Sequence, residues 1–270
     1  MHQAYIDAMT AKVAADNRIK AAWLEGSFGR GNPDRYSDLD FHFLLVDYDL
    51  RAFKADVEAW LSTIRPLVLC NFLFDDRMIN ALTHDGLRID IWFHTEDHVT
   101  IDPSKARVVF NHGDYIRFAQ GTARADPFAV AQRLEQQTKE FWRCIALLPS
   151  VVGRNELITA FLGLTIETNV LTDLILTGYG IARDRGVKNL NQFLPPDLRQ
   201  AIEAALSLHG LSPASLTKAH LALARIVQEQ GRIIADKHQY TYPDRLEEAV
   251  LNYVSKELAL LGLNEDLDNG

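Results

Sequence analysis

Apolar and polar positions alternate along this chain with two different periods, and the change from one to the other divides it. Residues 1–19 carry Tyr5, Ile6, Met9 and Val13 at helical spacing, which predicts a helix packed on a sheet. Lys20 to Glu25 reads as a short buried strand that breaks at Gly26, and Asp38 to Val46 as a second strand with the apolar run Phe43-Leu44-Leu45-Val46. Asp49 to Ile64 returns to helical spacing through Leu50, Phe53, Val57, Trp60, Leu61 and Ile64 until Pro66 stops it. Strand-like runs follow at Leu67 to Phe74, Met78 to Thr83 and, after a His84-Asp85-Gly86 turn, Leu87 to Phe93. Val108-Val109-Phe110 is a last short strand, closed by the turn Asn111-His112-Gly113-Asp114.

Beyond Asp126-Pro127 only the helical period remains. It covers Phe128 to Leu147, Glu156 to Leu176, Asp197 to Leu208, Ala214 to Ala235 and Asp244 to Leu260. Breaks fall at Pro149, Gly178-Tyr179-Gly180, Pro195-Pro196, Gly210 and Pro243. The pattern predicts an α+β protein: a mixed sheet flanked by helices in residues 1–125, then a helical bundle in 126–270. No internal repeat or long linker interrupts it, and Gly262 to Gly270 reads as a frayed acidic tail.

Composition narrows the class. The 270 residues, 47% hydrophobic and 24% charged, suit a folded protein with a sizeable core. With 28 basic against 36 acidic residues the formal charge is −8, which disfavours nucleic acid and anionic membranes as partners and suits a cationic small substrate. Cys70 and Cys144 sit in different apolar segments and match neither a disulfide framework nor a metal site, so a reducing cytoplasm is expected. No basic leader precedes an apolar core, and no run of 18 apolar residues signals a membrane span. The sequence leaves a homodimer open.

The chemistry concentrates in Gly26-Ser27 and Asp38-Leu39-Asp40. In an extended strand alternate side chains share a face, so Asp38 and Asp40 project together with Cα atoms roughly 6.5–7 Å apart. Two hard oxygen ligands at that spacing suit Mg²⁺, which completes its octahedron with water and substrate phosphates. Gly26 permits a backbone conformation closed to other residues, and Ser27 then opens a helical turn. Its N–H groups and the Ser27 hydroxyl form a small anion nest, with Arg30 one turn further on. Gly31 to Ser37 is turn chemistry throughout. The glycines Gly26, Gly29 and Gly31 fit neither the dinucleotide pattern nor a P-loop. Asp90 shares a strand face with Arg88 and Trp92, while Leu87, Ile89, Ile91 and Phe93 take the other; an acid there needs a metal or an arginine.

Gly-Ser, ten residues and Asp-x-Asp resembles the signature of the nucleotidyltransferase superfamily that includes DNA polymerase beta. Within it the chain looks most like the antibiotic nucleotidyltransferases, the lincosamide and aminoglycoside-modifying adenylyltransferases. The signature covers Gly26 to Asp40, while chain length, the spacing to a third acidic strand and the helical second half resemble the lincosamide enzymes.

The resemblance implies Mg²⁺-dependent transfer of a nucleoside monophosphate, AMP from ATP, to a hydroxyl of a small molecule. It implies Asp38, Asp40 and Asp90 as metal ligands and catalytic residues, and Gly26, Ser27 and Arg30 at the nucleotide. Kanamycin-type relatives carry a similar Glu-x-x-x-Lys followed by an aromatic and an arginine. That implies Glu135 as general base and Lys139 as a triphosphate contact, with Trp142-Arg143 following; as plain helix chemistry the two form a solvated pair. Asp90 and Glu135 both stand as candidate bases.

Trp92 and Trp142 are candidate walls of a substrate slot. Glu156, Gly163 and Glu167 fall on one helical stripe, either leaving room for a cationic amine or marking close packing beside a solvent edge. His84, His94, His98 and His112 lack ligand spacing and read as surface residues. Modification of protein hydroxyls (AMPylation), a toxin–antitoxin role and a non-catalytic nucleotide-binding module are the alternative functions.

Overall fold

The computed structural model describes residues 1–120, 126–181 and 190–263. The segment that holds the expected boundary at 125, and most of the expected tail, lie outside the described residues. The chain divides into two compact units, Met1–Ala123 and Arg124–Gly270.

The first unit is built on a mixed sheet. Helix α1 (His2–Ala14) buries Tyr5, Ile6, Met9 and Val13, the positions its period picks out. Strand β1 (Ile19–Leu24) leads into the single-turn helix α2 (Gly26–Gly29), and β2 (Leu39–Leu45) into α3 (Asp47–Ser62). The next strands are β3 (Leu67–Leu73), β4 (Met78–Thr83), β5 (Arg88–His94), β6 (Val99–Ile101), β7 (Arg107–Asn111) and β8 (Ile116–Phe118). Among the described residues the main sheet has six strands in the order β3-β4-β5-β2-β1-β7. Its neighbours are antiparallel except β2 and β5, which run parallel, and β6 and β8 form a separate parallel pair.

Strand alternation gives the sheet two different faces. Leu39, Phe41, Phe43 and Leu45 of β2 join Ile89, Ile91 and Phe93 of β5 in one core with α1 and with Phe53, Val57 and Leu61 of α3. Each such fully buried side chain contributes roughly 1.5–3 kcal/mol. The opposite face begins with acids and ends in a smaller cluster of Ala21, Trp23, Leu44, Val99, Ile101 and Ala106. The short strands β6 and β8 escape the sequence pattern because three residues are too few to show a period of two.

The second unit is helical: α4 (Pro127–Ile145), α5 (Leu148–Gly153), α6 (Leu157–Tyr179), α7 (Pro196–Ala205), α8 (Pro213–His238) and α9 (Asp244–Leu260). Asp126 caps α4 by accepting from the Phe128 N–H, and Ser212 caps α8 by accepting from Ser215. Pro149, expected as a break, sits in the first turn of α5, where its missing N–H costs nothing. Gly178 does not end α6; the helix runs to Tyr179 and is capped by Gly180 at φ +70°. A Cβ on Gly178 would meet Ile234 at 2.6 Å, so this glycine lets α6 and α8 approach.

Helix α6 is long and apolar enough to cross a membrane by length and composition, which the run-length reading of the sequence passed over. In the folded unit Leu164, Leu171, Leu174 and Ile175 of α6 are buried in the core that Trp142 and Leu216 also join.

Candidate active site

The turn after β1 is shaped by one residue. Gly26 adopts φ +60°, and a Cβ at that position would overlap the Asp40 carboxylate. The Glu25 N–H donates to the Asp40 carbonyl at 2.9 Å, fixing the end of β1 beside the start of β2. Helix α2 then places the Ser27 hydroxyl in a buried position with no protein hydrogen-bond partner. A buried hydroxyl left this way is an unspent hydrogen-bonding group. Arg30, half-buried, follows directly as the C-cap of α2. The Gly31 to Ser37 return is braced by Asp34, whose Oδ1 accepts from the Tyr36 N–H at 2.8 Å and from the Ser37 hydroxyl at 3.1 Å.

Beyond that turn the three aspartates converge. Asp40 of β2 stands opposite Asp90 of β5 in the parallel ladder, and Asp38 precedes Asp40 on the same face. One carboxylate oxygen from each of Asp38, Asp40 and Asp90 lies within 4.8 Å of the others, and all three residues are half-buried. An all-oxygen donor set of this kind fits a hard divalent cation such as Mg²⁺ or Mn²⁺ rather than a thiophilic metal. On the far side of Asp90, Asn80 of β4 is its ladder partner and donates from Nδ2 to Asp90 Oδ1 at 2.6 Å.

One pleat further along the same face the acids give way to stacked rings. Trp92 follows Asp90 by two residues and His42 follows Asp40 by two, and the two rings stack at 6.3 Å with 15° between planes. His42 stacks on Trp23 at 5.1 Å, and Phe74 stacks on Trp92 at 5.4 Å. Phe74, Asp75 and Asp76 all have φ between +54° and +59°, so the turn after β3 curls its aromatic ring back over the sheet. Phe74 nevertheless keeps 64% of its surface exposed.

His42 and His94 share a hydrogen bond of 2.9 Å between Nδ1 and Nε2. Burial, with the neighbouring His94, pushes His42 down to about 3, and burial also lowers His94 against the opposing pull of Glu96 and Glu25. The pair is therefore neutral at neutral pH. His94 is half-buried on this face, beside His42, rather than the surface histidine its position after a strand predicts.

The remaining candidates lie in the helical unit. Glu135 and Lys139 form an ion pair at 2.6 Å on α4. Trp142 is fully buried and donates its indole N–H to Tyr242 at 3.1 Å, so its ring has no face left for a substrate. Glu156 is exposed at the N-cap of α6. Glu167, 1% exposed, sits at no solvent edge: His220 Nδ1 lies 2.6 Å from its Oε2, and His220 Nε2 reaches the Ala160 carbonyl at 3.1 Å. Burial raises the Glu167 carboxyl, opposed by His220. A Cβ on Gly163 would come within 3.3 Å of His220, which marks close packing there.

An open groove of about 660 Å³ in the first unit is lined by Tyr48, Leu50, Arg51, Lys54, Phe72 and Asp76. It lies on the α3 side of the sheet, opposite the acids.

The three aspartates that the sequence pattern singles out do come together, while Asn80 and Phe74, which adjoin them and Trp92, are not among its candidates. An amide between apolar neighbours on a strand was the available signal for the first; nothing local announces the second.

The family model described as streptomycin adenylyltransferase matches residues 1–257. Among solved structures, an aminoglycoside 6-adenyltransferase from Bacillus subtilis is 13% identical with a TM-score of 0.39, over 93% of this chain and 96% of that one. A CdnE cyclic dinucleotide synthase from Elizabethkingia meningoseptica is 15% identical with a TM-score of 0.28, over 96% of this chain and 92% of that one. Among curated proteins no match is found.

Proposed function

This chain belongs to the streptomycin adenylyltransferase family, and on that footing we propose that it moves AMP from ATP, with Mg²⁺, onto a hydroxyl of a small cationic antibiotic such as an aminoglycoside. The observation that carries the reading is the convergence of Asp38, Asp40 and Asp90 within 4.8 Å. Clustered carboxylates repel one another, and a divalent cation held among them would offset that repulsion. A divalent cation, when bound, supplies Lewis acidity and neutralises charge on the triphosphate.

The chain's own groups do the rest. Asp38, Asp40 and Asp90 would hold the cation, and the Ser27 hydroxyl would donate to a phosphate oxygen, with the N–H groups of the turn and Arg30 beside it. Asp90 takes the acceptor's proton in this reading, with Glu135 as its rival; Glu135→Gln decides, because loss of turnover with intact nucleotide binding assigns the base to Glu135. Trp92 and Phe74 border the acceptor. Since ATP is the donor, the cytoplasm is the proposed location.

The test is pyrophosphate release from ATP with a panel of aminoglycoside and lincosamide acceptors, with and without Mg²⁺. Asp40→Asn is expected to lower turnover at least about 100-fold, the upper end of what loss of an outer-shell partner costs, with an unchanged circular dichroism spectrum. A near-normal rate in that variant refutes the assignment.

A further inference from the structure

Asp90 is flanked on both sides of its strand by residues that face the same way. The parallel ladder sets Asp40 opposite it on β2, and the antiparallel ladder sets Asn80 opposite it on β4. An aspartate side chain on its own rotates about two torsions and can turn its carboxylate away from its neighbours. The 2.6 Å bond from Asn80 Nδ2 to Asp90 Oδ1 restricts that freedom. The donor is itself anchored, because its strand neighbours Ile79 and Ala81 are buried in the sheet core.

The identity of the donor matters as much as its place. Lysine or arginine at position 80 would satisfy Asp90 by neutralising it, competing with any cation. A carboxylate would add a fourth repelling charge. Asparagine offers an N–H without a charge, so Asp90 is oriented while the negative charge of the cluster is kept.

We propose that Asn80 is a positioning residue, whose side-chain amide holds the Asp90 carboxylate toward Asp38 and Asp40 and so sets the affinity of the cluster for a divalent cation. The inference rests on the cation reading of that cluster. Metal-ligating groups are held by such outer partners, and their loss typically costs 10- to 100-fold in metal affinity.

The test uses the full chain with α,β-methylene-ATP, titrated with Mn²⁺ and followed by electron paramagnetic resonance. Asn80→Leu keeps the bulk and removes the N–H, and Asn80→Ser carries a hydroxyl too short to reach Asp90. Both are expected to bind Mn²⁺ about 10- to 100-fold more weakly than the parent. In turnover the Mg²⁺ concentration for half-maximal rate rises by the same factor, and kcat returns at saturating metal. Asn80→Gln, which keeps the amide, recovers part of the affinity.

If Asn80→Leu does not fold, Asn80→Ser decides. Parent-like Mn²⁺ affinity in the folded Asn80 variants, with Asp90→Asn weakened as a control, overturns the role of Asn80. Parent-like affinity in Asp90→Asn as well overturns the cation reading itself.

Discussion

Gly26 and Asp40 occupy a space that only a glycine leaves open: a Cβ on Gly26 would overlap the Asp40 carboxylate, and the backbone there is left-handed at φ +60°. Gly26→Ala is therefore expected to act twice. The strained backbone costs about 1–2 kcal/mol of stability, read as a lower urea midpoint. The displaced Asp40 weakens Mn²⁺ binding as well, and an alanine variant with parent-like metal affinity would show that Asp40 has another place to go.

Phe74 is held over Trp92 by a run of left-handed residues and still exposes most of its ring. Phe74→Ala should raise KM for the acceptor roughly 2- to 10-fold, the worth of one aromatic contact, with kcat and Mn²⁺ affinity little changed. Phe74→Gly should show the same KM and be the more stable of the two, because glycine adopts this backbone without strain. An unchanged KM in both would reduce Phe74 to a turn residue.

His94 gives the stability of the first unit a pH dependence with a definite sign. Burial lowers its pKa in the folded chain, so between its ordinary value near 6.5 and the lower folded one the unfolded chain binds more protons. Its contribution is present above about pH 6.5 and is lost as the pH falls through that window, with a slope of up to about 1.4 kcal/mol per unit. Urea unfolding of the parent should weaken from pH 7 to pH 5, and His94→Gln should make the trend shallower while the part due to His42, also lowered by burial, remains. A parallel trend in the variant would place the acid sensitivity elsewhere.

Glu167 and His220 are buried together in the helical unit, with their side chains 2–3% exposed. Removing one partner by Glu167→Ala or His220→Ala should cost about 3–5 kcal/mol, because the other is left buried without its bond. Replacing both by leucine should cost less than the sum. Strict additivity in urea unfolding would deny the coupling.

Much of this was readable from local pattern. Alternation along β2 and β5 placed Asp40 and Asp90 on polar faces of their strands, and the helical period matched the bounds of α9 at both ends. What the pattern could not carry were encounters between distant segments. Trp142 and Tyr242 meet only when α4 packs near the start of α9, and Glu167 meets His220 only when α6 lies on α8. Both therefore looked available for a substrate, whereas the fold uses them internally. The ring column on the sheet was hidden for the same reason: Phe74 reaches Trp92 through three left-handed residues, none of them glycine. Propensity gives no warning of such a turn.

The parallel pairing of β2 with β5 ties the meeting of Asp40 and Asp90 to correct assembly. Were β5 to slip by a single residue, Asp90 would turn into the oily side of the sheet and Ile89 would take its place. On the proposed reading, a molecule able to capture a cation there would thus already have proofread its own strand alignment.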